Sequence, residues 1–298
     1  MSRQAEHFAA IARELTRLTG SACASRPEYR VGGGSISECY RWRSRAGLLF
    51  VKLGAAASGA ALAAEAAGLE ELARTHTVRV PRVLAAGHTP TAAFLALEWL
   101  EPGPRTGASE QRLGEALAAL HAVTAPRYGW SRDNTIGSTP QLNTWSEDWV
   151  EFFRERRLRP QLERALSGGY APLLAAPGEQ LLESLPQLLA GHKPSASLLH
   201  GDLWGGNWFA STGGEPAVFD VAVYYGDAET DLAMTRLFGG FGATFYRAYE
   251  AARPSATGAA QRCELYNLYH VLNHANLFGG GYAGQARAMI DALLAPLR

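Results

Sequence analysis

Apolar residues recur along 3–19 at Phe8, Ile11, Leu15 and Leu18, one stripe of an amphipathic helix that must pack on the next elements of the chain. The adjoining stretch, EYRVGGGSISECYRWRSRAGLLFVKLG, reads as strands on either side of Gly32, Gly33 and Gly34, with a second turn near 44–47. Residues 57–74 return to helical spacing, with Leu62, Leu69 and Leu72 on the inward stripe. VPRVLAAGHTPTAAFLALEWL predicts two more strands, near 80–88 and 93–100. In EPGPRTG, residues 101–107, two prolines and two glycines mark a connector. Beyond it the pattern is mostly helical. Leu113, Leu117 and Leu120 share a face in 109–123, Trp149, Phe152 and Phe153 follow from Trp145 onward, another apolar helix covers 178–191, and Leu265, Leu268, Tyr269 and Leu272 line a tail helix. The expectation is an α+β chain in two lobes, 1–102 with five antiparallel strands and a helix, and 103–298 mostly helical.

One stretch breaks the helical pattern. Leu198 and Leu199 run into His200, Gly201 and Asp202, and Asn207 follows five residues later. Two apolar triplets, 208–210 and 217–219, flank the turn-forming STGGEP and predict a β-hairpin. A symmetric six-residue turn sets Trp208 opposite Phe219, Phe209 opposite Val218 and Asn207 opposite Asp220. Opposed residues have Cβ atoms about 4.5–5.5 Å apart. An amide and a carboxylate at that spacing are hard oxygen ligands suited to Mg²⁺, with Asp202 nearby as a base. An Asp that takes a hydroxyl proton, an Asn five residues on and a later Asp at a strand end form the pattern of kinase-type phosphoryl transfer. The plainer alternative makes His200 and Asp202 turn residues that cap a hairpin.

Upstream residues add to this reading. Lys52 lies inside LLFVKLG, where a lone ammonium is costly to bury. Glu65 falls on the inward stripe of the following helix and is its natural partner, a pair that in kinases directs the lysine to the nucleotide phosphates. The turn through Gly32, Gly33, Gly34, Ser35 and Ser37 can bring backbone N–H groups and hydroxyls against phosphate, although an isolated GGG is more often an ordinary turn. It fits neither the P-loop nor the dinucleotide fingerprint. Glu98, Trp99 and Leu100, just before the connector, are candidates for reading adenine through main-chain groups, with a solvated strand-end acid as the other reading of Glu98. Trp204 and Trp145 are candidates for walling the acceptor, with plain core packing as the other reading, and Asp227 for binding a cationic group on it or for bracing the catalytic loop by accepting backbone N–H bonds. Asp231 beside buried neighbours is read instead as a brace for the 200–202 loop. His121 is read as a helix-end cap, and His270 with His274 as a packed pair rather than a zinc site.

Composition narrows the class. Basic and acidic residues balance at 28 each over 298 residues, which argues against a polyanionic partner such as nucleic acid or an anionic membrane. No apolar run reaches the 18 or more residues of a membrane span, and the N-terminus lacks a signal-peptide core. Three widely spaced cysteines fit neither a disulfide framework nor a zinc site and suit a reducing cytoplasm.

HGDLWGGN, the FD at 219–220 with AVYYGDAETDLAMTRLFGGF close behind it, GWSRDNTIGSTPQLNTWSEDWVEFF and YHVLNHANLFGGGY together resemble the fructosamine kinase (ketosamine-3-kinase) family over nearly the whole chain. That resemblance implies a bilobal protein-kinase-like fold of the aminoglycoside-phosphotransferase branch, with 1–102 the nucleotide-binding lobe and 103–298 the catalytic and substrate-binding lobe. It implies ATP and Mg²⁺ as cofactors and transfer of phosphate to the 3-hydroxyl of a ketosamine, free or on a protein lysine, which leads to deglycation. Carried over by position, Asp202 is the base, Asn207 and Asp220 the metal ligands, Lys52 and Glu65 the phosphate-orienting pair, and Gly32 to Ser37 the nucleotide-covering loop. Val221 stands where the family has Pro, and Ser35 where some members carry Cys, so no redox switch is expected at that loop. A monomer is expected, with a dimer as the alternative. The competing readings are a kinase of the same fold acting on an aminoglycoside, choline or homoserine, and a catalytically silent nucleotide-binding regulator.

Overall fold

The computed structural model describes residues 3–32 and 37–297. By internal contacts it divides into two compact units, 1–109 with 208–221, and 110–207 with 222–298. The division falls later than 102/103, and it assigns the 208–218 hairpin to the first unit rather than the second.

The first unit opens with helix α1 (Arg3–Thr19). A five-stranded antiparallel sheet follows, made of β1 (Tyr29–Val31), β2 (Glu38–Ser44), β3 (Gly47–Ala55), β4 (Val83–His88) and β5 (Ala92–Glu98), in the order β1-β2-β3-β5-β4. Alternation decides its faces. Tyr40, Trp42, Leu49, Val51 and Leu53 point to one side and bury against Ile11 and Leu15 of α1. Lys52 therefore points to the other side, as do its cross-strand partners Cys39 and Leu95. Helix α2 (Gly59–Thr75) buries Leu62, Leu69 and Leu72, with Glu65 on that stripe as the spacing predicts.

The hairpin of this unit joins Trp208–Ser211 to Pro216–Val218, and the first of these strands also pairs with Pro102–Gly103. Its register corrects the sequence expectation by one residue. Trp208 pairs with Val218 and Phe209 with Ala217, so Asn207 and Asp220 are not directly opposed. The turn is the reason. Ser211 N–H donates to Glu215 C=O at 2.8 Å and Gly214 N–H to Ser211 C=O at 2.7 Å, while Gly214 adopts φ +75°. That is a three-residue loop closed by a left-handed glycine, an odd length where a symmetric six was expected.

In the second unit α3 (Gly107–His121) is followed by a long, interrupted helical run over 149–188. Asp148 caps its start by accepting the Glu151 N–H at 2.7 Å. Two wide, π-type turns, Arg154–Leu158 and Leu166–Tyr170, break the run, the second at Gly169 with φ 99°. A small sheet of Thr124–Ala125, Ala196–Leu199 and Tyr224–Gly226 carries the central loop. Helix Ala259–Phe278 is the spine of this unit, with eleven buried residues from Arg262 to Ala275. Among the described residues no helix is long and apolar enough to cross a membrane.

Candidate active site

Two clusters of polar side chains, one in each unit, hold the candidate base, metal ligands and phosphate-orienting pair.

In the first unit Lys52 Nζ lies 2.8 Å from Glu65 Oε2 and is also ion-paired to Asp220 Oδ1. Lys52 and Glu65 are largely buried, at 14% and 13% side-chain exposure, whereas Asp220 is 38% exposed. Burial alone would draw the ammonium pKa down, but Glu65 and Asp220 outweigh it and hold Lys52 above the ordinary lysine value. Burial pushes Glu65 up to about 7, with Asp220 adding to the rise and Lys52 opposing it. One ammonium thus faces two carboxyl groups, and Glu65, raised to about 7, is partly protonated near neutral pH. Asp220 is held in the left-handed region at φ 58°, a conformation Asp tolerates better than most residues but which still costs about 1–3 kcal/mol and tends to mark functional positions.

Glu98 is not a solvated acid. Its carboxylate takes the Arg82 N–H at 2.7 Å and pairs with Arg79 at 2.8 Å. Its own N–H donates to Arg82 C=O, and that of Trp99 to Leu48 C=O. Gly32 and Ser37 flank the glycine-rich turn, while Gly33, Gly34 and Ser35 lie outside the described residues.

The second cluster is built on the loop 200–207. Gly201 has φ +84°, and a Cβ there would sit 2.0 Å from Ala222 O, so only glycine fits. Asp231 is buried and accepts the N–H groups of His200 at 2.7 Å and Gly201 at 2.8 Å. His121 Nε2 lies 3.2 Å from the same carboxylate, and His121 Nδ1 lies 2.8 Å from the Tyr249 hydroxyl. Burial would raise the Asp231 pKa, but the His121 contact, the two histidines and the Gly201 N–H hold it below the usual aspartate value. Asp231 is thus the brace the sequence suggested. His121 is more than a cap, because it is fully buried and fixes that brace.

Asp202, partly exposed, comes directly after the braced peptides, and its N–H donates to His200 Nδ1 at 3.2 Å. The Asn207 amide nitrogen donates to Asp202 C=O at 2.9 Å and lies 3.4 Å from Asp202 Oδ2. With its NH₂ directed into the loop, Asn207 turns its carbonyl oxygen away from Asp202. Trp204 folds over Gly206, where a Cβ would meet the indole at 2.3 Å, and the tryptophan as a whole is 37% exposed.

Two acceptor candidates fare differently. Trp145 is half-buried, 6.0 Å from the Tyr225 ring and under the Arg127 guanidinium. Asp227 does not serve as a substrate contact. It is 3% exposed, its Oδ2 meets His192 and the Tyr266 hydroxyl at 2.6 Å each, and its Oδ1 accepts the Glu229 N–H. Glu229 in turn forms a two-pronged pair with Arg262 at 2.6 and 2.8 Å. These acids are internal ties that hold the following helix.

Sequence reasoning missed a buried amide network. Gln141 donates to Ala222 C=O at 3.2 Å and to Asn134 Oδ1 at 2.8 Å, and accepts the Tyr269 hydroxyl at 2.7 Å. Asn134 donates to Val223 C=O, and Asn143 links Asn134 to the fully buried Arg157. The signal was the run of polar residues in DNTIGSTPQLN, too rich in amides for a plain surface loop.

A family model described as fructosamine kinase matches residues 7–296. A probable ketoamine kinase of Synechocystis is 45% identical over 95% of this chain and 96% of its own length. A chloroplastic protein-ribulosamine 3-kinase of Arabidopsis thaliana is 40% identical over 90% of this chain and 82% of its own. The crystal structure of a candidate fructosamine-3-kinase from Haemophilus somnus superposes with TM-score 0.86 at 27% identity, over 96% and 97% of the two chains. An aminoglycoside phosphotransferase, APH(4)-Ia, shares the fold at TM-score 0.60 and 17% identity, over 96% and 98%. The architecture is the aminoglycoside-phosphotransferase branch of the kinase-like fold.

Proposed function

Because this chain belongs to the fructosamine kinase family, we propose that it transfers the γ-phosphoryl group of ATP to the 3-hydroxyl of a ketosamine, with Asp202 as the base. The observation that carries this reading is the 200–207 loop, in which Asp231 clamps two consecutive peptides and Asn207 ties down Asp202. Chemistry of this kind is catalysed chiefly by positioning and charge neutralisation, so a rigidly held carboxylate is the part the protein must build.

Lys52, kept cationic by Glu65 and Asp220, directs the phosphates. The main chain of 98–100 reads the adenine edge, through carbonyls and Leu100 because the N–H groups of Glu98 and Trp99 are already engaged. Gly32 to Ser37 cover the triphosphate. Asn207 and Asp220 would hold Mg²⁺, whose preference for hard oxygen ligands suits an amide oxygen and a carboxylate. When bound, Mg²⁺ neutralises charge on the phosphate oxygens. Asp202 orients the acceptor hydroxyl and takes its proton as the new O–P bond forms and ADP leaves. The names of the relatives point to a ketosamine as acceptor, and one of them to a protein-bound one.

The test is Asp202→Asn. Loss of a positioned base typically costs 10²–10⁴ in rate. Phosphorylation of a glycated amine, followed by ³¹P NMR, is expected to fall by about 10³ while the ATP dissociation constant stays within about twofold. Equal loss of nucleotide affinity would remove Asp202 from the assigned role.

A further inference from the structure

The face of the five-stranded sheet that carries Lys52 continues outward into a stack of rings around one guanidinium. Phe50 lies two residues before Lys52 on β3 and so shares its side. Its cross-strand partner on β2 is Arg41, which pairs in turn with Tyr29 of β1. The Arg41 guanidinium sits over two rings at once, 5.5 Å from the centre of Tyr29 and 5.0 Å from that of Trp99. It donates to the Tyr29 hydroxyl at 3.1 Å and is ion-paired at 3.3 Å to Glu28, whose carboxylate also takes Arg43 at 2.6 Å. Trp99 is anchored from its other edge. Its indole N–H donates to Glu101 at 2.7 Å, and its ring lies 6.5 Å from that of Phe50. Strand β1 buries little of its own. It is an edge strand of three residues, with Tyr29 and Arg30 exposed and Val31 half-buried.

We propose that Arg41 is a positioning residue for the nucleotide, a planar clamp that holds β1 to the adenine-reading stretch 98–100. The proposal rests on the kinase reading above and adds a residue to its nucleotide half. Chain order gives the clamp its consequence. β1 ends at Val31 and runs directly into Gly32, where that reading puts the phosphates, and Trp99 is the middle residue of the stretch that reads the base. One side chain therefore ties together the two backbone segments assigned to the two ends of ATP. The geometry uses the plane of the group as much as its charge. A guanidinium offers flat faces to both rings and a directed N–H to the tyrosine hydroxyl, whereas an ammonium is a compact, strongly hydrated point charge. Such a restraint acts on ATP binding and leaves the transfer step alone, because Asp202, on the 200–207 loop, is no part of the stack.

The experiment compares Arg41→Lys, Arg41→Met, Tyr29→Leu and Glu28→Gln in ATP titrations and in steady-state kinetics with a glycated amine. Both Arg41 variants are expected to raise the ATP dissociation constant and the KM for ATP about tenfold, and Tyr29→Leu, which removes one ring, about threefold. In all three, kcat and the KM for the glycated amine are expected to stay within about twofold. Glu28→Gln leaves the stack in place and is expected to bind ATP within about twofold of the parent. Tyr29 is 47% exposed, so its variant keeps the test open should an Arg41 variant melt well below the parent. Amides of 29–31 are expected to exchange faster in the Arg41 variants, with those of β3 and β5 unchanged. Parental ATP affinity in Arg41→Lys would overturn the planar clamp, as would a loss in Glu28→Gln as large as in Arg41→Met, or a fall in kcat matching the rise in KM. Each of these outcomes leaves the kinase reading standing. A parent protein that binds no ATP would overturn that reading, and the clamp with it.

Discussion

Asp231 illustrates how one buried carboxylate fixes a reaction geometry. Its oxygens accept from two consecutive backbone N–H groups and face His121, which is itself anchored by Tyr249. A carboxylate is acceptor-only and suits this set. An amide in its place turns a donor toward one of the N–H groups or toward His121. Asp231→Asn is therefore expected to lower stability by about 3–5 kcal/mol, the range for breaking a buried charged contact, and to lower kcat for the ketosamine about a hundredfold. The KM for ATP is expected to stay within about threefold, since the partners of Asp231 are His121 and the peptides of the 200–202 loop. Stopped-assay kinetics with urea unfolding check both halves. A variant that loses stability but keeps kcat would reduce Asp231 to a packing residue. Acid provides a second check with a definite sign. Asp231 titrates lower in the folded state than unfolded, so its contribution is present above the ordinary aspartate pKa and is lost as pH falls through the folded one.

At the scale of elements, the buried amides Asn134, Gln141 and Asn143 make the segment 134–143 a strut under the central loop. Gln141 makes three hydrogen bonds, to Ala222 C=O, Asn134 and Tyr269, and Ala222 N–H donates to His200 C=O at 2.9 Å. Gln141→Leu keeps comparable bulk but leaves a buried carbonyl and a tyrosine hydroxyl without their partner. At about 1–3 kcal/mol for each of the two buried groups left unsatisfied, the expected loss is about 2–6 kcal/mol in urea unfolding. A loss below 1 kcal/mol would show that water replaces the amide. Polarity patterns made much of this architecture legible, though not this strut. Helices α1 and α2, the strands of the first sheet and the inward placement of Glu65 follow from periodicity, because one face of each element is buried. The hairpin register did not follow. Choosing between a six-residue turn and a three-residue one depends on whether Gly214 goes left-handed, and hydrophobicity carries no trace of that. The choice between the two readings of Asp227 was closed to the sequence for a related reason. An acid near a candidate site looks alike in sequence whether it faces solvent or, as here, meets a histidine and a tyrosine in the interior.

Over the whole molecule, each of the two units carries a buried titratable group, and the contributions of these two groups to stability lean opposite ways with pH. In the second unit burial, with His274 and Arg157 adding and Asp231 opposing, pulls His270 down to about 3 from 6.5. Below pH 6.5 the unfolded chain takes up a proton that the folded unit refuses. Stability from this group is therefore full above 6.5 and falls toward 3 by about 1.4 kcal/mol per pH unit. In the first unit Glu65 is raised from 4.5 to about 7. There the folded state holds a proton that the unfolded chain releases, so the contribution is full below 4.5 and is lost as pH rises toward 7. Hydrogen-exchange protection factors resolve the units in one experiment. Between pH 6.5 and 5, amides of 265–275 are expected to lose protection while those of β3 and β5 gain it. His270→Gln should flatten the first trend alone, and Glu65→Gln the second alone. Parallel slopes in both sets of amides would mean that the units unfold as one body, in which case neither group sets the acid response of its own unit.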